Sequence, residues 1–246
     1  MAQIHISLGA EQVLDIGGFH ISNSILSTWA VMIFLIVFSL LATRKLKMVP
    51  TGIQNFTEVL IDSLRSLFES VMGESYKRYF ALLATIFIFI IFSNWSGLIP
   101  GVGTVGLFKT VDGTEEFTPL FRAGTADLNL TLALALITVI IIQIEGMRSL
   151  GASYLKKFFN FSHPIHFYVG VLELISELSK IISFSFRLFG NIFAGEVLLT
   201  VIAFLMPLFA PLPFLGLELF VGFIQALVFS MLTAVFLLVA TAKAEH

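Results

Sequence analysis

Apolar residues occupy most of the chain in long runs, and the few charged side chains mark where those runs end. Residues 21–43 contain no charged side chain, and residues 79–108 form a second uncharged run. A third, shorter run covers residues 128–144. About 20 apolar residues are enough for a helix to cross the hydrocarbon core of a bilayer. The pattern therefore predicts a transmembrane helix in each run, the second ending near residues 97–100.

The segment 51–75, between the first two runs, has a different pattern. Apolar residues recur there at helical spacing, and charged residues occupy the other faces. A helix that lies at the membrane interface or packs on partner helices fits this pattern better than a transmembrane span. We therefore predict one amphipathic interfacial helix. Its apolar positions are Ile53, Phe56, Leu60, Leu64, Leu67 and Val71, and its charged positions are Glu58, Asp62, Arg65 and Glu69.

The C-terminal third of the chain is apolar over more than the length of one ordinary span. As a helix, residues 167–206 would measure about 60 Å, roughly twice the hydrocarbon thickness. A proline cluster at residues 207–213 is the first break, and a second apolar stretch follows to residue 241. A break exposed to lipid would leave backbone groups without hydrogen bonds, so an unbroken tilted helix is preferred to a kinked pair. The sequence predicts a long, steeply tilted helical hairpin over residues 167–246.

Composition then restricts the class of protein. Of the 246 residues, 57% are apolar and only 12% are charged, whereas soluble domains average about 25% charged residues. A soluble enzyme, a secreted binding module and a disordered tail are therefore excluded. The net charge of −2 argues against nucleic acid as a partner, and the absence of cysteine excludes disulfides and thiolate metal sites. The predicted fold class is an all-α integral membrane protein.

The distribution of basic residues predicts how the chain is oriented, because cytoplasmic loops are enriched in Lys and Arg. An outer N-terminal segment (1–20) precedes the first membrane helices (21–146), which include an outer loop (101–127). A cytoplasmic-side connector (147–166) leads to the hairpin (167–246). The N-terminus is then outside and the C-terminus cytoplasmic. The basic residues assigned to the cytoplasmic side are Arg44, Lys45, Lys47, Lys77, Arg78, Arg148, Lys156 and Lys157.

Two short motifs have simpler interpretations than their letters suggest. Residues 101–106 match the dinucleotide-binding pattern G-x-G-x-x-G. That motif requires a preceding strand and a following helix. Here it follows a membrane helix, which favours a flexible exit loop. His163 and His166 flank a proline at a helix start; with no third ligand nearby in sequence, an interfacial pair is favoured over a metal site.

Three charged residues lie inside the long apolar region 181–242: Arg187, Glu196 and Glu218. Each costs about 2.5–3.5 kcal/mol at mid-bilayer, a cost that is usually retained for function. An ion or proton path is the favoured interpretation, and mutual pairing that joins the helices is the alternative. A guanidinium stays charged in a protein, whereas carboxylates can carry protons. The region therefore combines a fixed cation with two exchangeable groups.

Helical spacing separates these charges. At 100° per residue, Ser183, Arg187 and Asn191 share one face of the first hairpin helix. Glu196 lies nine residues beyond the arginine, on the opposite face and about 13 Å along the axis. An intrahelical pair is therefore impossible. On the second helix, Glu218 and Gln225 share a face and are placed to meet Glu196 across the hairpin.

At these residues the sequence resembles a known family. The stretch Ser183-Phe-Ser-Phe-Arg187-Leu-Phe-Gly-Asn191-Ile-Phe-Ala-Gly-Glu196 resembles the signature of subunit a of F-type ATP synthases. Three further stretches agree with that family, at residues 94–100, 125–129 and 224–229. The resemblance extends from about residue 22 to the end. It implies a proton-transporting stator subunit that is not an enzyme by itself and needs no cofactor.

The resemblance also implies partners and residue roles. The subunit would lie beside a rotating ring of c subunits and a peripheral stalk of subunit b, in a bacterial inner membrane. Two half-channels would deliver protons to the ring and collect them, with Arg187 separating the half-channels. Small residues at positions 190, 194 and 195 would permit close approach to the ring. Access-channel residues would be Glu196 and Glu218, with Asn191, Gln225 and Ser183 as polar neighbours.

Two alternatives stay open at this point. Glu173 and Glu177 are placed either to line the cytoplasmic half-channel or to pair with Lys180. For the whole chain, the alternative function is a stand-alone ion channel or secondary transporter. Secondary transporters often contain inverted repeats and paired broken helices, and the sequence indicates neither.

Overall fold

The computed structural model describes residues 9–16, 19–44, 46–111, 114–158, 164–206 and 209–242. Helices dominate these ranges, as the apolar runs predicted. Five helical segments within them are long and apolar enough to cross a membrane. The predicted all-α membrane class is confirmed. The helices are α1 (Asn23–Thr43), α2 (Ile53–Met72), α3 (Tyr76–Ser96), α4 (Leu128–Leu150), α5 (Ala152–Lys156), α6 (Pro164–Leu205) and α7 (Pro211–Thr241).

Two small antiparallel strand pairs were not predicted. In the N-terminal segment, β1 (Gln12–Ile16) pairs with β2 (Phe19–Ser22), and in the 101–127 loop β3 (Gly106–Val111) pairs with β4 (Thr114–Pro119). The expected exit loop at residues 101–106 begins instead with a short 3₁₀ turn and leads into β3. It follows α3 rather than a strand, so it lacks the context of a dinucleotide site.

Local signals explain where several helices begin and end. Gly73 has φ = 55° at the end of α2, a conformation that glycine adopts without a steric penalty, and a 3₁₀ turn joins α2 to α3. The Asp127 side chain accepts a 2.9 Å hydrogen bond from the backbone N–H of Asn129, capping the start of α4. Gly151, with φ = 61°, ends α4 seven residues beyond Ile144, the last residue of the third uncharged run.

The predicted amphipathic helix is present as α2. Leu64, Phe68 and Met72 are buried against α3 and α7. The charged side chains Glu58 and Asp62 are exposed on the other faces. The C-terminal half of α2 is therefore packed inside the bundle.

The core lies between α3, α4, α6 and α7. Leu83 and Ile90 of α3, Ile142 of α4, Leu188 of α6 and Leu237 of α7 are each less than 3% exposed. Small or hydroxylated residues accompany them, such as Ala135, Thr131, Ser185 and Ala226. Small residues allow membrane helices to approach closely.

The predicted hairpin is formed by α6 and α7. The ring of Phe184 lies 4.6 Å from that of Phe229, and Gly195 lies against Glu218, so the two helices run antiparallel. α6 is one continuous helix of 42 residues, about 63 Å long. This exceeds the hydrocarbon thickness roughly twofold, so a membrane can contain α6 only at a steep tilt. The hairpin starts at Pro164 rather than at residue 167, and Pro207 lies outside the described residues.

The bundle has two ends that differ in what they carry. At the first, which we call the loop end, the N-terminal segment and the 101–127 loop lie over the start of α1: Asn23 donates to the carbonyl of Pro119 and Ser24 to Asp127. At the second, the connector end, Ser149 donates to the carbonyl of Thr241. The chain thus places its N-terminal segment and the end of α7 at opposite ends of the bundle.

Candidate functional site

A cavity of about 230 Å³ lies at the loop end, between α3, α6, α7 and the 101–127 loop. We call it the loop-end cavity. Both predicted carboxylates, Glu196 of α6 and Glu218 of α7, line it. The hairpin therefore does bring them to one site, although they are not hydrogen-bonded to each other. The other polar side chains lining the cavity are Asn94, Arg122 and Thr200.

Glu196 forms an ion pair that sequence spacing did not indicate. Arg122 Nε donates to Glu196 Oε2 over 3.0 Å. The arginine side chain is 7% exposed and the glutamate side chain is 40% exposed. The two residues are 74 positions apart in the chain, so only the tertiary fold brings them together. The available signal was weak: Arg122 is a lone basic residue beside the family-like stretch at 125–129.

Glu218 is in a different environment in the same cavity. It is 6% exposed and has no ion-pair partner among the described residues. Its carboxyl group lies directly against Gly195, where a Cβ atom would overlap it. The glycine therefore makes room for the carboxyl group of α7. We expected Gly195 to allow approach of a neighbouring ring, but its face is used inside the hairpin instead.

A hydrogen-bond network fixes the turn of α7 that carries Glu218. Asn94 Nδ2 donates to the carbonyl of Gly222 over 2.8 Å, and Asn94 Oδ1 accepts from Thr125 Oγ1 over 2.7 Å. Trp95 Nε1 donates to the carbonyl of Leu219 over 3.0 Å. Two family-like stretches, at 94–100 and 125–129, therefore act together on one turn of α7.

Arg187 lies outside this cavity. It borders a groove of about 310 Å³ between α6 and α7, which we call the connector-side groove. Arg187 Nη2 donates to Ser183 Oγ over 3.0 Å, and Asn191 Nδ2 donates to the carbonyl of Arg187 over 2.9 Å. The predicted shared face of these three residues is thus observed. Within the described ranges no carboxylate pairs with Arg187. The groove is lined by Ser176, Ser179, Lys180, Ser183, Phe184, Arg187, Leu232 and Phe236.

The two glutamates near the start of α6 have separate partners. Glu177 pairs with Lys180 over 2.7 Å and accepts a 2.7 Å hydrogen bond from Gln143. Glu173 pairs over 2.5 Å with Lys157 of the connector, not with Lys180. The pairing alternative for Glu173 was therefore assigned to the wrong lysine.

Tyr154 of α5 completes this network at the connector end. Its hydroxyl donates to Gln143 Oε1 over 2.7 Å. Burial, together with the negative charges of Glu177 and Glu173, raises the pKa of Tyr154 to about 12. The tyrosine therefore stays protonated and remains a hydrogen-bond donor at physiological pH.

Two further predicted positions are less informative. Gln225 is half-buried on α7 and lines neither the loop-end cavity nor the connector-side groove. His163 lies outside the described residues, so the pair it would form with His166 is not described.

Fold and site together define a multi-pass membrane protein whose long antiparallel hairpin carries charged residues at membrane depth. Comparison with known proteins gives the family: the model for the ATP synthase A chain matches residues 25–238. The chain is 40% identical over 213 residues to ATP synthase subunit a of Gloeobacter violaceus, covering 86% of this chain and 80% of that protein. It is 36% identical over 219 residues to ATP synthase subunit a of Trichlorobacter lovleyi, covering 88% and 86%.

A plastid relative is equally similar. The chain is 37% identical over 235 residues to the chloroplastic ATP synthase subunit a of Oedogonium cardiacum, covering 94% of this chain and 88% of that protein. The chain therefore belongs to the ATP synthase subunit a family. The resemblance inferred from the arginine motif is confirmed.

Proposed function

We propose that the chain is the stator subunit of an F-type ATP synthase membrane sector that gives protons two separate routes to a rotating ring of c subunits. It catalyses no reaction by itself. In this proposal, the loop-end cavity and the connector-side groove belong to the two half-channels. Arg187 is the cation that separates them.

The observation that carries the proposal is the offset between the two polar spaces along α6. The connector-side groove uses residues 176–187 of this helix, whereas the loop-end cavity uses residues 192–200. The two spaces share no lining residue. The two spaces are therefore separate and lie one after the other along α6. Passage through an intermediate carrier on another subunit would join them.

Arg187 is suited to act at the boundary between these spaces. Its guanidinium keeps its positive charge at any physiological pH, and the residue is half-buried without a counter-ion among the described residues. A carboxylate that arrives on a neighbouring ring would be favoured in its ionised form within about 4–6 Å of this cation. The same charge opposes direct movement of a proton between the two half-channels.

The remaining polar residues receive supporting roles. Glu196 and Glu218 form the access route on the loop-end side, because both line that cavity. Ser183 and Asn191 flank Arg187 on the ring-facing side, and Gln225 is a polar neighbour on α7. Glu173 and Glu177 belong to the connector-side entrance.

Charge distribution supports the orientation. The connector end carries most of the basic residues, which supports a cytoplasmic connector end and an outer loop end in a bacterial cell. The membrane is then the bacterial inner membrane. The partners are the c-ring and the peripheral stalk.

The test compares the purified chain alone with the assembled membrane sector in liposomes. We expect proton flux from the assembled sector and essentially none from the chain alone, since neither polar space crosses the bundle by itself. A saturable proton flux from the chain alone would instead favour the stand-alone channel. The subunits that copurify in mild detergent provide the second readout, and a c-ring with a peripheral stalk is expected.

A further inference from the structure

Arg122 is a buried cation that the arginine motif of α6 does not include. It lies on the 101–127 loop, just before the turn that leads into α4, and the whole residue is 8% exposed. Long charged side chains are almost never this buried unless they are paired. Its position therefore requires an explanation beyond anchoring a loop.

Three parts of the molecule hold this arginine in one orientation. Its backbone N–H donates to Ser27 Oγ of α1 over 2.9 Å. Its Nη1 donates to the carbonyl of Gly9 in the N-terminal segment over 3.0 Å. The guanidinium carbon lies 5.8 Å from the centre of the Phe193 ring on α6. The position of the guanidinium is therefore fixed by contacts other than its ion pair with Glu196.

The cavity that Arg122 lines holds two carboxylates but, among the described lining residues, only this one cation. Arg122 Nε contacts Glu196, and Glu218 is left without an ion pair in the described structure. Two carboxylates in a low-dielectric site resist simultaneous ionisation. A permanent cation beside one of them favours the ionised form of that carboxylate over the ionised form of the other. The two glutamates therefore have different chemical roles.

We propose that Arg122 is a positioning residue for the proton path, holding Glu196 as a fixed carboxylate at the cavity wall and leaving Glu218 as the carboxylate that exchanges protons. This inference rests on the proposed function. Arg122 does not touch the transported proton itself. It acts through Glu196, by charge and by orientation.

The experiment measures proton-driven ATP synthesis by the complete complex in membranes, with assembly checked by subunit content. Arg122→Gln removes the charge, and we expect the rate to fall about tenfold or more, because breaking a buried pair leaves an uncompensated charge. Arg122→Lys keeps the charge but cannot reproduce all the contacts of the planar fork, so we expect it to retain clearly more activity than Arg122→Gln. Ser27→Ala is the matched control, since it removes one hydrogen bond to the same loop residue and no charge.

The decisive variant combines Arg122→Gln with Glu196→Gln. If the charge pair is the cause, the double variant works as well as Glu196→Gln alone, because neither member of the pair then carries a charge that has lost its partner. If Arg122 only anchors the loop, the double variant is worse than either single variant, and Arg122→Lys fails as badly as Arg122→Gln. That result would overturn the inference.

Two outcomes need separate interpretation. If Arg122→Gln does not assemble, recovery of assembly in the double variant supports the charge pair, and continued failure contradicts it. Arg187→Ala in the same membranes tests the proposed function independently. If Arg122→Gln leaves the rate of ATP synthesis unchanged while Arg187→Ala is inactive, the inference about Arg122 is refuted and the proposed function is not. Normal transport in an assembled Arg187→Ala complex refutes the proposed function itself.

Discussion

The loop-end cavity and the connector-side groove use charge in opposite ways. In the cavity, four structural elements surround the two glutamates. One of the glutamates, Glu196, has a counter-ion in the same chain, Arg122. At the groove, Arg187 is half-buried, its α6 neighbours Ile182 and Phe186 are exposed, and it has no counter-ion among the described residues. Within the described residues, the cavity therefore supplies a counter-ion for Glu196, whereas the groove supplies none for Arg187.

This difference indicates where the chain depends on another molecule. A cation at membrane depth is costly when nothing compensates it. An anion at the same depth is costly for the same reason, and for the Glu196 carboxylate this cost is reduced by Arg122 of the same chain. For Arg187 the compensation has to come from outside the described residues. In the proposed function a carboxylate of the ring would provide this compensation. The following experiments test the contrast from the largest expected effect to the smallest.

Removing the unpaired cation should have the largest effect. Arg187→Ala is expected to abolish coupled proton transport. We also expect a passive proton leak through the complex, because no positive charge then separates the half-channels. Arg187→Lys should also be severely impaired, since lysine can lose its proton and lacks the planar fork. ATP-driven proton pumping in membranes measures both variants. Normal pumping in an assembled Arg187→Ala complex would refute the contrast.

Removing both cavity carboxylates should have a large effect of a different kind. In the assembled complex, Glu196→Leu together with Glu218→Leu is expected to slow proton-driven synthesis strongly while the leak stays unchanged, because the access route is lost but the separating cation remains. The rate of synthesis and the passive leak are measured in the same membranes. An unchanged rate of synthesis would exclude both residues from the path.

A single methyl group should disturb the cavity by sterics alone. Gly195→Ala places a Cβ where the Glu218 carboxyl group lies, so the carboxyl group has to move. We expect a several-fold loss of proton-driven synthesis, although alanine in a helix interior is intrinsically favoured over glycine by about 0.5–1 kcal/mol. Gly216→Ala, on the helix of Glu218, is the control because a Cβ there meets nothing within 4 Å. Equal effects of the two changes would show that crowding of Glu218 is unimportant.

Loosening the turn that carries Glu218 should have the smallest effect. Asn94→Ala removes the hydrogen bond to Gly222 and leaves Thr125 without its acceptor. Each lost buried bond costs about 1–3 kcal/mol, so we expect lower thermal stability and a rate reduced by no more than a few-fold. Thr85→Ala on α3 is the control, because its hydroxyl bonds only to its own helix. Thermal unfolding in detergent and the rate of synthesis are measured together. A larger loss than that of Gly195→Ala would reverse the expected order.

The membrane helices could be predicted from the sequence because charged residues mark where each long uncharged run ends. The continuity of α6 followed from the absence of a charged turn within residues 167–206 and from the cost of a break exposed to lipid, and the structure has one helix there. The shared face of Ser183, Arg187 and Asn191 followed from the helical repeat alone. Local periodicity was sufficient for these features.

What the sequence did not predict depends on contacts between distant segments. The Arg122–Glu196 pair and the contact of Gly195 with Glu218 arise only when the loop and the hairpin are packed. The strand pairs β1–β2 and β3–β4 were missed because each strand has at most six residues and lies in a segment assigned to loop.

Because α6 is continuous, the number of residues between two of its side chains fixes the distance and the angle between them. Each residue advances the axis by about 1.5 Å and turns it by about 100°, so the spacing between Arg187 and Glu196 is set by the count of residues. No bend within this stretch can adjust it, because residues 187–196 lie inside one helix. Inserting one residue there would turn Glu196 by about 100°, away from Arg122 and out of the loop-end cavity. Substitutions can alter the chemistry of this segment, but its length is fixed by geometry.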